Sequence, residues 1–312
     1  MDVVTFGETM VLFVPQSNGP LRFVSQFSKT IGGAESNVAI ALARLGHKVS
    51  WLSRLGNDEF GLFIRNYIRG EGVDTSKVII DSERPTAVFF KERRAFGDPK
   101  VYYYRKNSAA SSLSPSDIKE EFIRKAKYLH ITGITAALSE SAREAVHSAI
   151  TIAKENGVKI VFDPNIRLKL WNKEKAREEL MKIAIRSDIV LPGLDEGEIL
   201  TGETVPEKIA AALLQGSCQT VVIKLGAKGA YCATRSNSEY VPGYLVETII
   251  DTAGAGDGFA AGFLSGQLRG LSLVDSVRLA NRIGAFALSS EGDVEGYPNW
   301  EEINSTKEQV LR

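Results

Sequence analysis

Seven short apolar runs, each bounded mostly by Gly, Pro or Asp, restrict what this chain can fold into more than any other feature. They lie at residues 3–6, 49–52, 128–131, 159–162, 189–191, 220–224 and 230–233. Their apolar character is that of strands buried on both faces. Helical patterns fall between them, at 34–45, 139–156 and 173–186, and two further helices are expected at 255–269 and 273–290. Strands alternating with helices predict an α/β fold, with a mostly parallel central sheet and helices on both faces.

One region breaks the alternation. Runs at 78–80, 86–91 and 101–104 are separated by the turn residues Pro85, Gly97 and Pro99, with no good helix between them. Together with 10–15 and 21–27 they predict a small antiparallel sheet, drawn from roughly 10–30 and 76–106. Such a sheet needs its apolar face covered, which makes it a lid, a dimer interface or both. A homo-oligomer assembled through it is the expectation. No internal repeat or low-complexity linker divides the chain, so residues 1–312 are expected to form one domain with a β appendage.

Composition narrows the ligand class. Lys plus Arg and Asp plus Glu both number 38, so no global basic field recruits nucleic acid, and an anionic ligand must be held by local groups. Cys218 and Cys232 show neither metal-ligand spacing nor a disulfide framework and are expected to be small buried side chains. No apolar run approaches the length of a membrane span, and the N-terminus enters a strand without a basic and apolar leader. A cytoplasmic protein without membrane contact is expected.

The strongest local signal is Asp251-Thr-Ala-Gly254-Ala255-Gly256-Asp257, which leads into a small-residue helix. Gly254 and Gly256 let the backbone turn tightly and aim several N–H groups at one point at the helix N-terminus. With Ala255 between them they form a nest for phosphate oxygens or developing negative charge. Asp257 sits beside that anion site. It is either a helix-start carboxylate or a general base that accepts a hydroxyl proton. No Gly-Lys-Ser/Thr follows, so the run is not a Walker A loop, and it lies too far along the chain for a dinucleotide fingerprint.

A second signal is Gly32-Gly33-Ala-Glu-Ser-Asn37, opening an Ala/Leu helix. It is either a glycine turn with a cap, or a place where a hydroxylated ligand approaches Gly33 and hydrogen-bonds Asn37.

Together the two turns resemble the two signatures of the PfkB (ribokinase-like) family of carbohydrate kinases, and the resemblance covers essentially the whole chain. It implies a ribokinase-like α/β domain with a small β-sheet lid and phosphoryl transfer from ATP to a sugar hydroxyl, with Mg2+. Residues 224–229 resemble the strand and turn over the nucleotide, so Lys224, Gly226 and Gly229 are expected at ATP, with Asn281 towards the adenine. The resemblance also brings Asn165 and Arg167 to the nucleotide side. Residues 192–198 stand in the place of an Asn-x-x-Glu motif, with Gly193 where the Asn is usual. Glu196 keeps the acidic end and implies a contact to Mg2+ through water. Activation by K+, a trait of the family, depends on backbone carbonyls around Asp251 and Ala253 that a sequence does not display.

Tyr103 and Arg105 share one side of a strand, and Arg167 follows a main-sheet strand closely enough to reach the cleft rim. Two arginines suit a carboxylate, which the guanidinium fork binds, better than a neutral sugar; the alternative is that Arg105 is a solvated edge charge and Arg167 a phosphate contact. Phe6-Gly-Glu-Thr-Met10, Tyr103/Arg105 and Asp163-Pro-Asn-Ile-Arg167 look most like the 2-keto-3-deoxygluconate kinases of the family. Fructokinases are the nearest rival. A non-catalytic sugar or nucleotide sensor is disfavoured by Asp257, and a nicotinamide-dependent dehydrogenase by the missing N-terminal glycine fingerprint.

Overall fold

All seven predicted runs are strands in the computed structural model, which describes residues 1–93 and 100–309, with side chains to 305. The turn residues Gly97 and Pro99 lie outside the described residues. The strands are β1 (Val3–Phe6), β2 (Met10–Pro15), β3 (Phe27–Gly32), β4 (Val49–Leu52), β5 (Arg54–Gly56), β6 (Ile79–Asp81) and β7 (Val88–Lys91). They continue as β8 (Val101–Tyr104), β9 (Tyr128–Thr132), β10 (Lys159–Asp163), β11 (Ile189–Val190), β12 (Thr220–Lys224), β13 (Ala230–Thr234) and β14 (Ser238–Val241). The main sheet has the order β14-β13-β12-β11-β10-β9-β1-β4. It is parallel from β12 to β4, and β13 and β14 extend it antiparallel.

Successive strand residues point to opposite faces, which is why these runs are apolar throughout. Val4, Phe6, Ile160, Phe162, Val221 and Ile223 pack into one core with helices Glu140–Glu155, Lys173–Ala184 and Pro206–Leu213. Their neighbours Val3, Val161 and Val222 pack into a second core with helices Ala34–Arg44, Ala255–Leu268 and Leu273–Ala287. Ser139, Asn172 and Ser272 cap three of the helices by accepting N–H bonds from the first turn. Helices Glu59–Gly70, Leu194–Thr201 and Pro206–Leu213 are not among those expected, although Phe60, Phe63, Ile64, Tyr67 and Ile68 have the helical spacing. Cys218 and Cys232 are buried free thiols.

The small sheet corrects the expectation in three respects. Its order is β3-β2-β7-β8, and the β2–β7 pair is parallel, so the sheet is mixed and not antiparallel. Between these strands the chain crosses back through the main domain and re-enters beside β2 in the same direction. Residues 79–81 pair instead with β5, in a separate two-stranded ribbon. The expected run at 21–27 is mostly a 3-10 turn and loop, and the strand follows it at Phe27–Gly32, which brings Gly32 opposite Met10. One face of the sheet buries Met10, Leu12 and Phe89. On the other, Phe13 stacks on Phe90 at 4.9 Å and meets Phe60 edge-on at 5.8 Å, seating the sheet on the Glu59–Gly70 helix.

Candidate active site

Gly254, with φ of 73°, turns the chain left-handed into the Ala255–Leu268 helix. A side chain there would be strained and would also meet the Asp293 carbonyl, 2.0 Å from the Cβ position. The Tyr297 hydroxyl donates to the Gly254 carbonyl at 2.7 Å, anchoring the turn from the far side. Asp257 follows in the first helical turn, half-buried. Burial pushes its carboxyl up to about 7; the Asn37 N–H bond opposes that rise, while Asp163 and Asp293 add to it and Arg167 opposes it.

Asn37 is fully buried and its Nδ2 donates to Asp257 Oδ2 at 2.8 Å and to Asp293 Oδ2 at 3.3 Å. Its Oδ1 is buried without a hydrogen-bond partner among the described residues. Asn37 therefore ties two carboxylates together and leaves an acceptor for a hydroxyl. Asn165, at a left-handed φ of 37°, donates to Asp257 Oδ1 at the long distance of 3.4 Å. Gly33 has a reason other than ligand approach: a Cβ there would lie 2.5 Å from the Glu8 carbonyl and 2.9 Å from Thr9. At Gly32 it would meet Phe89 and Asp293.

One cleft brings together Gly33, Asn37, Tyr103, Arg105, Arg167, Gly254 and Asp257. Met10, Leu12 and Phe89 of the small sheet line it as well, so the buried apolar face of that sheet looks onto Asp257. A cavity of about 1450 Å³ adjoins it, sharing Val101, Tyr103, Arg105 and Arg167. The two arginines differ in state. Arg105 donates from Nε and Nη2 to Glu8, a carboxylate with no exposed side-chain surface, which also accepts from Ser108. Arg167 is exposed and makes only a 3.5 Å contact to the Ile166 carbonyl among the described residues. Lys91 of β7 pairs with Asp251, joining the small sheet to the start of the glycine turn.

The residues expected at the nucleotide assemble in part. Lys224, at the end of β12, holds Asp163 at the end of β10 at 2.8 Å and lies 3.8 Å from the Cβ position of Gly256. Burial works against its charge, but Asp163, Glu196 and Asp257 together raise its pKa, so it stays an ammonium. Lys224, Gly226 and Glu196 line a further cavity of about 630 Å³. Gly229 takes a φ of 97° and packs on Val241–Gly243, and Asn281 donates to the Pro242 carbonyl of that loop at 2.9 Å. Asn281 thus anchors a loop through its amide. Both Glu196 oxygens accept backbone N–H bonds, from Ile166 at 2.8 Å and Gly193 at 2.7 Å. Asp293 and Glu8 are absent from the candidates: nothing in the local sequence marks Asp293, and Glu8 entered only as part of the run at 6–10.

Comparison with known proteins agrees with this geometry. The model of the pfkB family carbohydrate kinases matches residues 1–300. A 2-dehydro-3-deoxygluconokinase of Bacillus subtilis (strain 168) is 43% identical over 307 residues, covering 98% of this chain and 95% of its own. Fructokinase-1 of Zea mays is 34% identical, covering 96% of each. An E. coli structure provisionally assigned as ribokinase II, in complex with ATP and Mg2+, superposes with a TM-score of 0.92 at 28% identity, covering 99% of both chains. Two glycine turns 220 residues apart, joined through Asn37 and Asp257, and a family match spanning nearly the whole chain lead to one conclusion: the chain belongs to the pfkB family of carbohydrate kinases.

Proposed function

We propose that this chain transfers the γ-phosphoryl group of ATP to the C6 hydroxyl of 2-dehydro-3-deoxy-D-gluconate, yielding the 6-phosphate. The observation that carries this reading is a single cleft holding a carboxyl raised to about 7, at the start of a glycine-capped helix, together with two guanidinium groups. The 43% identical Bacillus relative bears the name of that activity. Asp257 takes the hydroxyl proton, and a pKa near the working pH suits a group that must be ionised yet basic. The N–H groups of Gly254, Ala255 and Gly256 face the charge that develops in transfer, and Lys224 adds a fixed positive charge held in place by Asp163. Glu8 balances the charge of Arg105, so Arg167, which makes no salt bridge among the described residues, supplies the cation for the sugar carboxylate, while Arg105 and Tyr103 shape its surroundings.

ATP supplies the phosphoryl group and Mg2+ shields its phosphates. Among the described residues no group of three or more His, Cys, Asp or Glu could hold a metal. A magnesium ion would be held by the phosphates and water, with Glu196 orienting a water molecule. The small sheet acts as a lid over Asp257. It also exposes Tyr102 and Tyr104, with Phe23 on the turn before β3 exposed as well, the surface through which two copies would pair.

An ADP-release assay with 2-dehydro-3-deoxygluconate, fructose and ribose as acceptors tests the substrate. A charge-assisted bond to one carboxylate contributes about 1.5–3 kcal/mol, so kcat/KM for the acid should exceed that for fructose by roughly 10- to 100-fold. A clear preference for fructose would overturn the assignment.

A further inference from the structure

The cavity of about 1450 Å³ beside the sugar cleft is larger than one small acceptor requires, since pockets for whole drug-sized ligands span about 300–1000 Å³. Six cations line it: Arg54 of β5, Arg84 before β7, Arg105 and Lys106 after β8, and Arg167 and Lys169 after β10. Among the described residues no carboxylate joins that lining. Four stretches of chain thus bring charges of one sign to one hollow, an arrangement that repels itself until an anion enters. Ser139 and Ser141, in hydrogen-bond contact at 3.1 Å, add hydroxyl groups to the same lining.

The six cations are not equally free. Arg54 donates to both oxygens of Asp117, at 2.9 and 2.8 Å, and Arg105 is held by Glu8. Arg84 reaches only Asp81, at 3.5 Å, and shares it with Arg54. Lys106 and Lys169 are exposed and make no salt bridge among the described residues; Lys169 donates to the Val101 carbonyl at 3.3 Å. A sugar carboxylate on Arg167 answers one positive charge. Arg84, Lys106 and Lys169 remain, which is more than a second carboxylate would neutralise. A phosphate monoester carries about −1.5 to −2 and presents three acceptor oxygens, so it matches what is left.

We propose that this cavity is a second anion site, outside the acceptor position at Asp257, which takes the phosphate of a phosphorylated sugar acid through Arg84, Lys106 and Lys169. The site does not depend on which sugar accepts the γ-phosphoryl group, and its occupancy is measurable without turnover.

Calorimetric titration of the full chain with 6-phospho-D-gluconate and with D-gluconate tests the site. The first ligand carries both anions; the second carries the carboxylate alone. Wild type should bind the phosphorylated acid at least about tenfold more tightly. Arg84→Ala and Lys106→Ala, both at exposed side chains, should each weaken it about 5- to 10-fold and together about 30-fold or more, with D-gluconate changed less than about twofold. The same titration with the nucleotide seat filled by a non-hydrolysable ATP analogue should leave the affinity for 6-phospho-D-gluconate within about threefold, since the phosphate does not sit on the glycine turn. Unchanged affinity in the double variant would overturn the proposal. So would equal weakening of both ligands, which would give these cations to the carboxylate, or displacement by the ATP analogue, which would put the phosphate at Gly254–Gly256. Failure of the substrate assignment shows elsewhere, in the choice among acceptors in the ADP-release assay.

Discussion

Replacing Asp257 by Asn removes a charge the fold must strain to accommodate, so it should abolish turnover and stabilise the protein at the same time. An unfolded carboxyl titrates near 3.8, while burial lifts that of Asp257 to about 7. Between those values the native state keeps a proton that the unfolded chain has released. Stability therefore falls as pH rises from about 4 to about 7, then levels off. Three units correspond to about 4 kcal/mol at most. Partial exposure of the carboxylate reduces this to about 2–3 kcal/mol, and losing a negative side chain at a helix start takes back about 0.5 kcal/mol. A net gain of roughly 2 kcal/mol at pH 8 is expected, smaller by about 1 kcal/mol at pH 5, with kcat down by at least about 1000-fold. Urea unfolding at both pH values, alongside ADP release, measures all three quantities. An Asn variant that is less stable than wild type at pH 8, or equally shifted at both pH values, would refute the electrostatic account. Near-normal kcat would remove Asp257 from the base role.

Other expectations follow from single contacts. Arg105→Met should destabilise by about 3 kcal/mol in urea unfolding, because it leaves the Glu8 carboxylate buried without its cation. Arg167→Ala should keep wild-type stability and raise KM for the sugar acid about 10- to 100-fold, with little change in KM for fructose. Gly254→Ala combines a left-handed φ with a Cβ 2.0 Å from the Asp293 carbonyl, so it should lower stability by about 3 kcal/mol and kcat more than KM.

The parallel sheet and the placement of Asp257 at a glycine-opened helix start were legible because both depend on local chemistry. A strand buried on both faces must be apolar residue after residue, and a left-handed turn opening onto a helix start calls for glycine. The helix at Glu59–Gly70 was equally available in its apolar spacing. The contacts that define the site were not. Arg105 meets Glu8 across 97 residues, and Asn37 meets Asp257 across 220 and Asp293 across 256. Such pairings are set by how strand ends and loops converge at the carboxyl edge of the sheet, and no local pattern announces them. The same holds for the parallel pairing of β2 with β7, decided by the route of the chain between them. By itself the sequence determined that a glycine turn and a carboxylate would stand at one helix start. Only the tertiary structure decided that Asn37 ties Asp257 to Asp293 and that Arg105 is already paired with Glu8.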